Sequence, residues 1–424
     1  MNRNIVQDRI RWFLLSCFGF ISSLAKYEDP KWNLVSPALA FPLEQLRANG
    51  RPLAITLLVL LLIIALNSPN PKGKLSTPEP IIYLWVVQSV IFIKTLDGGD
   101  IITGSLIFAI FSGVVIMHLR GPAVWIQDER SLRLGFWAIA MVGVIFVVAN
   151  VYQARINVEA ITFIHGWFHG TTANPHHAGV LMAAIIPSLI CLLFSDKDQR
   201  WKQIFWLIII LFLIFCIYKT ASRTSFVMVF VASLTFFRYR LGALGGFMLV
   251  VATIIAILLS SLGTEMISTS LDINPNDTTM SKLLSENNTR TGVWQGQWNG
   301  FINNMMFGAP LQGDRIRFGE SSWLGTAQIL GLAGFIPMLL FGWSTIQLIL
   351  KLENISRSNI NNNYYFYSSA VMSGLIAMLV GGFSEAFLLA NLNFSLYVTL
   401  QYLILGKFIT DLNDSHSVQQ FYAQ

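Results

Sequence analysis

Along this chain, long uninterrupted apolar runs alternate with short polar connections. Roughly twelve such runs can be drawn, near residues 12–25, 52–67, 80–94, 101–118, 134–152, 178–195, 204–219, 224–238, 242–262, 323–350, 365–383 and 392–410. The runs are continuously apolar rather than alternating, so they predict helices and not the strands of a barrel. With 54% hydrophobic and only 12% charged residues among 424, and a mean hydropathy of +0.59, the chain has too little polar surface for two or three water-soluble domains. The expectation is an all-α integral membrane protein, one polytopic domain over residues 1–424, with about 12 (10–12) transmembrane helices. The range reflects four segments, 12–25, 52–67, 80–94 and 224–238, that are shorter than the roughly 18–20 residues needed to span hydrocarbon.

The net charge of +6 and a pI near 9.2 do not describe a nucleic-acid binder, because the basic residues are scattered through short connections rather than gathered into a stripe. They report sidedness instead. If the amino terminus is cytoplasmic, the inner loops hold Lys72 and Lys74, Arg120, Arg130 and Arg133, Lys197, Arg200 and Lys202, Arg238 and Arg240, then Lys351 and Arg357. The stretch from Lys26 to Arg51 breaks the pattern, with four basic residues on the outer side. Twelve crossings put both termini in the cytoplasm. Arg3, Arg9 and Arg11 before Trp12–Ala25 resemble the charged and apolar regions of a signal peptide, but Lys26-Tyr27-Glu28-Asp29 is a poor processing site, so an uncleaved anchor is expected. Cys17, Cys191 and Cys216 all lie in apolar runs without CxxC spacing, which offers neither a disulfide framework nor a thiolate metal site.

One connection stands apart. Residues 264–320 form a large extracytoplasmic loop, rich in Asn, Ser and Thr and then in Trp, Arg and Gly. In a chain with so little soluble structure, such a loop is where binding or chemistry is expected. Five constellations at the outer face have the right residue types. Lys219 and Ser222-Arg223 stand at the mouth between two spans, where a guanidinium either anchors at the interface or grips a phosphate oxygen pair. Arg290 precedes an amphipathic stretch on which Trp294, Trp298 and Phe301 share a helical face, suited to interfacial packing or to a surface helix beside a ligand. Glu320-Ser321-Ser322, with Arg315 and Arg317 upstream, offers either a general base or an N-terminal cap for the following span. His165 and His169, followed by Asn174-Pro175-His176-His177, include metal-ligand types. Gly166 and Gly170 interrupt the helix they would need and no acidic residue lies nearby, so no metal is expected and Asn174-Pro175 is read as a turn into the next span. Ser384-Glu385, with Asn391 and Asn393, sits at the outer end of the last two spans, where it either joins helices or contacts a sugar.

In this order, the stretches from about Asn174 to Gly334 resemble the O-antigen ligase and O-antigen polymerase (Wzy-like, WaaL-like) superfamily. The resemblance rests on Asn174-Pro175 before a span, Ser222-Arg223 at a membrane edge, and Arg290 ahead of Trp294 and Trp298 in a long outer loop. Pro310-Leu311 with Gly313, and then Gly331 with Gly334, complete it. The family's usual His-Asn pair is absent, and Glu320 stands where the ligases' histidine would be, which favours a polymerase or another glycan transferase.

The resemblance implies a metal-independent, inverting glycosyl transfer, without cofactor, on the outer face of the bacterial inner membrane. The donor would be a polyprenyl-diphosphate-linked oligosaccharide and the acceptor another glycan, with membrane lipid and other envelope polysaccharide-assembly proteins as neighbours and no nucleic acid. Arg223 and Arg290, with Lys219, would offset charge growing on the departing diphosphate, and Glu320 would take the proton from the attacking hydroxyl. Ser222, Trp294, Arg315 and Arg317 would bind substrate. Two alternatives remain: a solute transporter, which the superfamily has been proposed to include for inorganic carbon, and a silent member that only binds lipid-linked glycan. Ionisable groups gathered at one face argue for transfer, whereas a transporter places them at mid-membrane.

Overall fold

The structure, a computed structural model, describes residues 3–26, 28–29, 34–69, 77–162, 166–195, 199–240, 289–310, 319–358, 363–389 and 392–422. Among these the regular secondary structure is helical apart from a two-residue antiparallel pair, Glu28–Asp29 with Leu34–Val35. The helices are α1 (Arg3–Ile21), α2 (Leu43–Ala48), α3 (Gly50–Leu66), α4 (Glu79–Asp97), α5 (Ile101–Arg120), α6 (Pro122–Trp125) and α7 (Glu129–Ile156). They continue as α8 (Pro175–Ser195), α9 (Arg200–Thr220), α10 (Arg223–Phe237), α11 (Thr289–Asn303), α12 (Ser322–Ser358), α13 (Asn363–Ser384) and α14 (Phe394–Tyr422).

Seven helices among the described residues are long and apolar enough to cross a membrane, and two more apolar helices, α3 and α10, are shorter. The expected run at 242–262 and most of the expected loop at 264–320 lie outside the described residues. The surface has the character that lipid selects. Leu207, Ile208, Leu211, Ile214 and Phe215 of α9 are exposed, as are Ile336, Leu339, Trp343 and Leu350 of α12. Contiguous apolar area of this kind belongs in hydrocarbon, not in water. Polar groups point inward: Ser16, Gln88, Asn150, Ser188, Ser222, Ser225, Ser373 and Gln401 are all buried.

At the end where α1 begins, Trp12 packs edge-on against Trp125, with ring centroids 5.4 Å apart, and the Arg11 guanidinium lies 5.1 Å from the same ring. Asp128 caps α7 there: its carboxylate accepts from the Ser131 backbone N–H at 2.8 Å, while the Ser131 hydroxyl accepts from the Asp128 N–H at 3.0 Å. That reciprocal pair satisfies two donors a helix start leaves open. At the opposite end α1 terminates against the start of α3, with Gly50 packed on Leu24. Contacts among their termini place the starts of α8, α10, α12 and α14 and the ends of α9 and α13 at this second end.

The core centres on α8 and α13, in which 83% and 78% of the spanning window is buried. Here α8 lies against α10 closely enough that a side chain at Gly179 would collide with the Ser225 hydroxyl. That contact fixes how the start of α10 sits on α8. By contrast α12 is interrupted: Gly331 has φ 60° and ψ −156°, a backbone state reserved in practice for glycine. The groups released by the break are taken up from outside the helix. Leu332 and Ala333 donate to the Met305 and Met306 carbonyls at 2.7 and 3.3 Å, and the Lys94 ammonium donates to the carbonyls of Ile329 and Phe307.

Candidate functional site

A polar cluster assembles at the second end from four helix termini. Pro175 occupies the first position of α8, where its missing N–H is no loss, and the Asn174 side chain accepts from the His177 N–H at 2.9 Å. This places His176 in the first turn. Between α9 and α10 the chain reverses through Ala221, whose φ of 51° is left-handed. The reversal is held by the Thr220 hydroxyl, which accepts from the Ser222 N–H at 3.2 Å. The Ser222 hydroxyl does not cap α10; it accepts from the Ser225 hydroxyl at 2.9 Å and lies 3.4 Å from His176 Nδ1.

Glu385, just beyond α13, completes the cluster, with Oε1 3.3 Å from His176 Nδ1. An ionised carboxylate only accepts, so a hydrogen bond across this contact requires the Nδ1–H form of His176, with the Ser222 hydroxyl alongside. Glu385 itself is fixed from both neighbouring helices. The Ser384 hydroxyl meets Thr224 of α10 at 3.0 Å, and the Glu385 carbonyl accepts from the Ser322 hydroxyl at 2.7 Å. Ser322 in turn accepts from the Phe387 and Leu388 N–H groups at 3.1 and 3.2 Å, tying the start of α12 to the α13–α14 connection.

Three further expected site residues stand on the helix termini that form this end, and Ser222 of the expected set is in direct contact with His176. Arg223 is the first residue of α10 and half-buried; Ser222 precedes it, and Lys219 lies in the last turn of α9, 5.6 Å from the Tyr218 ring. Glu320 is in the turn before α12, partly buried and two residues from Ser322. At the next residue, the Ser321 hydroxyl accepts from the Leu324 N–H at 3.3 Å, a capping contact at the start of α12.

Arg290 belongs to the first turn of α11, but its side chain lies outside the described residues, as do Arg315, Arg317 and His165. The expected aromatic face of α11 is only partly what packs. Gln297 and Phe301 are buried and Trp294 is half-buried, while Trp298 is 47% exposed. The contact face is set by Gln297 against Gly319, Gly300 against Gln328 and Phe301 against Phe335, which leaves Trp298 on the flank. Among the described residues no His, Cys, Asp and Glu form a group of three able to hold a metal ion, and His169 is buried with Nδ1 3.2 Å from the Thr172 carbonyl.

A cavity of about 240 Å³ opens beside Glu385, walled by the end of α1, the start of α3, the first turns of α8 and the α13–α14 connection. Sequence reasoning singled out Asn174–His177 and Ser384–Glu385 separately and missed that they meet. The one available signal is span direction: a histidine opening one span and a carboxylate closing another must reach the same face. Comparison of the chain with models of known protein families and with curated proteins finds no match.

Proposed function

We propose that this protein is a glycosyltransferase of the polysaccharide polymerase or O-antigen ligase type. It moves a glycan from a polyprenyl-diphosphate-linked donor to an acceptor sugar on the outer face of the bacterial inner membrane. The observation that carries this reading is the convergence of the α10 start (Ser222-Arg223), His176, Glu385 and the Glu320–Ser322 turn at one end of an apolar bundle. Transfer from a diphosphate needs fixed cations for the leaving group and a carboxylate for the hydroxyl proton, held together where lipid and water meet. Arg223, with Arg290 and Lys219, supplies the first; a carboxylate from the pair Glu320 and Glu385 supplies the second.

On this reading the site end faces the extracytoplasmic side, the chain crosses the membrane about twelve times, and residues 264–320 form the outer loop that completes the site. Support comes from Arg120, Arg130, Arg133, Arg200, Lys202, Arg238, Arg240, Lys351 and Arg357, all at the end opposite the cluster.

A second reading, a solute transporter, draws on the break in α12, since discontinuous spans commonly line transport sites. The freed N–H groups of Leu332 and Ala333 already bond to Met305 and Met306, so that part of the break serves chain packing rather than a solute. The deciding experiment is polymer length on gels, with lipid-linked repeat units quantified, from cells carrying Arg223→Ala or Arg290→Ala at matched abundance. Collapse to single units with accumulation of lipid-linked repeats supports transfer. Unchanged polymer in both variants and in a full deletion rules it out and leaves transport as the reading to pursue.

A further inference from the structure

The cavity beside Glu385 has a composition that apolar packing does not explain. Its wall includes Glu385, Arg51, His177, Asn393 and Ser395, together with Phe387 and Phe394. At about 240 Å³ it is smaller than the roughly 300–1,000 Å³ of pockets that enclose drug-sized ligands, which leaves room for one sugar ring but not for an oligosaccharide. Hydroxyls and amides that both donate and accept, one carboxylate, one guanidinium and an aromatic face are the groups that bind a neutral polyhydroxylated ring. Glu385 bridges this cavity to the rest of the cluster: it lines the wall, while His176 Nδ1 stands 3.3 Å from Oε1. Glu320 is not part of the wall.

We propose that this cavity is the acceptor-sugar subsite and that Glu385, rather than Glu320, is the carboxylate that receives the proton of the attacking hydroxyl. The inference rests on the glycan-transfer reading and sharpens it. The acceptor oxygen bonds to the donor's anomeric carbon as the bond from that carbon to the diphosphate oxygen breaks. The electron pair leaves on the diphosphate, and the hydroxyl proton passes to the Glu385 carboxylate. His176 is a positioning residue: its Nδ1–H orients the carboxylate without touching the sugar.

The test uses the full-length protein in nanodiscs with a lipid-linked donor and a soluble acceptor glycan. Ser23→Trp fills the cavity from the turn after α1 and is expected to raise the acceptor KM about tenfold or more, a loss of one or more steps of 1.4 kcal/mol, with donor KM unchanged. Glu385→Gln lowers kcat by about 100-fold or more, the range for loss of a general base, whereas Glu320→Gln changes it by less than tenfold. His176→Ala lowers kcat by about tenfold without moving the acceptor KM, and His176→Asn, which retains a donor, restores part of that loss. Ser395→Leu is the second filling variant should Ser23→Trp fail to give monodisperse protein.

Binding is read independently of turnover by saturation-transfer NMR with free hexoses, on the wild type and the filled variants. Hexose saturation that filling abolishes, in a protein that transfers nothing, supports a sugar site while removing the transferase reading. Transfer that continues with unchanged acceptor KM in both filled variants overturns the subsite and leaves the transferase reading standing. Greater sensitivity to Glu320→Gln than to Glu385→Gln overturns the assignment of the base. Tightly bound phospholipid in native mass spectra, with no hexose saturation, also overturns the subsite.

Discussion

Both α8 and α12 contain a proline within an apolar sequence, buried in α8 and partly exposed in α12, yet only α12 is broken. In α8, Pro187 cannot donate a backbone hydrogen bond, and the helix runs on unbroken with 83% of its spanning window buried. The carbonyl left without its helical donor is that of Ala183. One residue on, the Tyr402 hydroxyl donates to the Ala184 carbonyl at 2.9 Å; having spent its proton there, it accepts from the Ser188 hydroxyl at 2.8 Å, which ties this turn of α8 to α14. In α12, Pro337 is likewise tolerated, and the interruption falls six residues earlier, at Gly331. A second stretch of chain, 305–309, and the ammonium of Lys94 occupy the backbone groups released there. The comparison teaches that proline does not decide where a span breaks. A break persists where glycine permits the backbone state and where a partner segment satisfies the freed N–H and C=O groups, each costly to bury unpaired.

Four substitutions would break or sharpen this contrast. The largest effect is expected from Gly331→Ala, because a Cβ there would meet the Gly308 nitrogen at 2.5 Å and the Met305 carbonyl at 2.6 Å in a conformation alanine avoids. Strain and overpacking together should cost about 2–6 kcal/mol, seen as a loss of thermal stability of the purified protein in detergent. Next is Lys94→Met, which removes the donor to Ile329 and Phe307 and should cost about 1–3 kcal/mol by the same assay. If it is neutral, the ammonium contributes nothing to the break.

Tyr402→Phe in α14 should cost about 1–2 kcal/mol, since it leaves the buried Ser188 hydroxyl without its partner and takes a second donor from the Ala184 carbonyl. The smallest shift, under about 1 kcal/mol, is expected from Pro187→Ala, where a regained backbone hydrogen bond offsets the lost burial of ring methylenes. A large destabilisation by Pro187→Ala would show that the proline shapes α8 after all, and the contrast with α12 would fail.

The same contrast shows how much was legible in the sequence. The runs at 178–195, 204–219 and 365–383 match α8, α9 and α13 within a few residues, because continuous apolarity bounded by polar connections is a local signal. The run at 323–350 identifies α12 but hides its break: Gly331-Leu332-Ala333-Gly334 is as apolar as its surroundings, and the segment that stabilises the break comes from another part of the chain. At the expected 12–25 span, α1 instead starts at Arg3 and stops at Ile21, since a helix can continue through Arg9 and Arg11 where hydropathy falls. At the site, Arg223 and Glu320 were individually visible as charges at membrane edges. The His176–Glu385 contact was not, because it joins the first turn of one span to the residue after another, and no spacing rule reaches that far.

By itself, then, the amino-acid order determined that this protein is helical and made for lipid, and it marked which polar residues stand at helix ends. Each of those properties follows from the solvation of residues close together in the chain. Tertiary packing alone decided which ends meet: the close approach of α8 and α10 at Gly179, the Ser384–Thr224 and Ser322–Glu385 bonds, and the cavity they border. Those contacts depend on interhelical shape and on the pairing of buried polar groups, which belong to pairs of helices and not to either one alone.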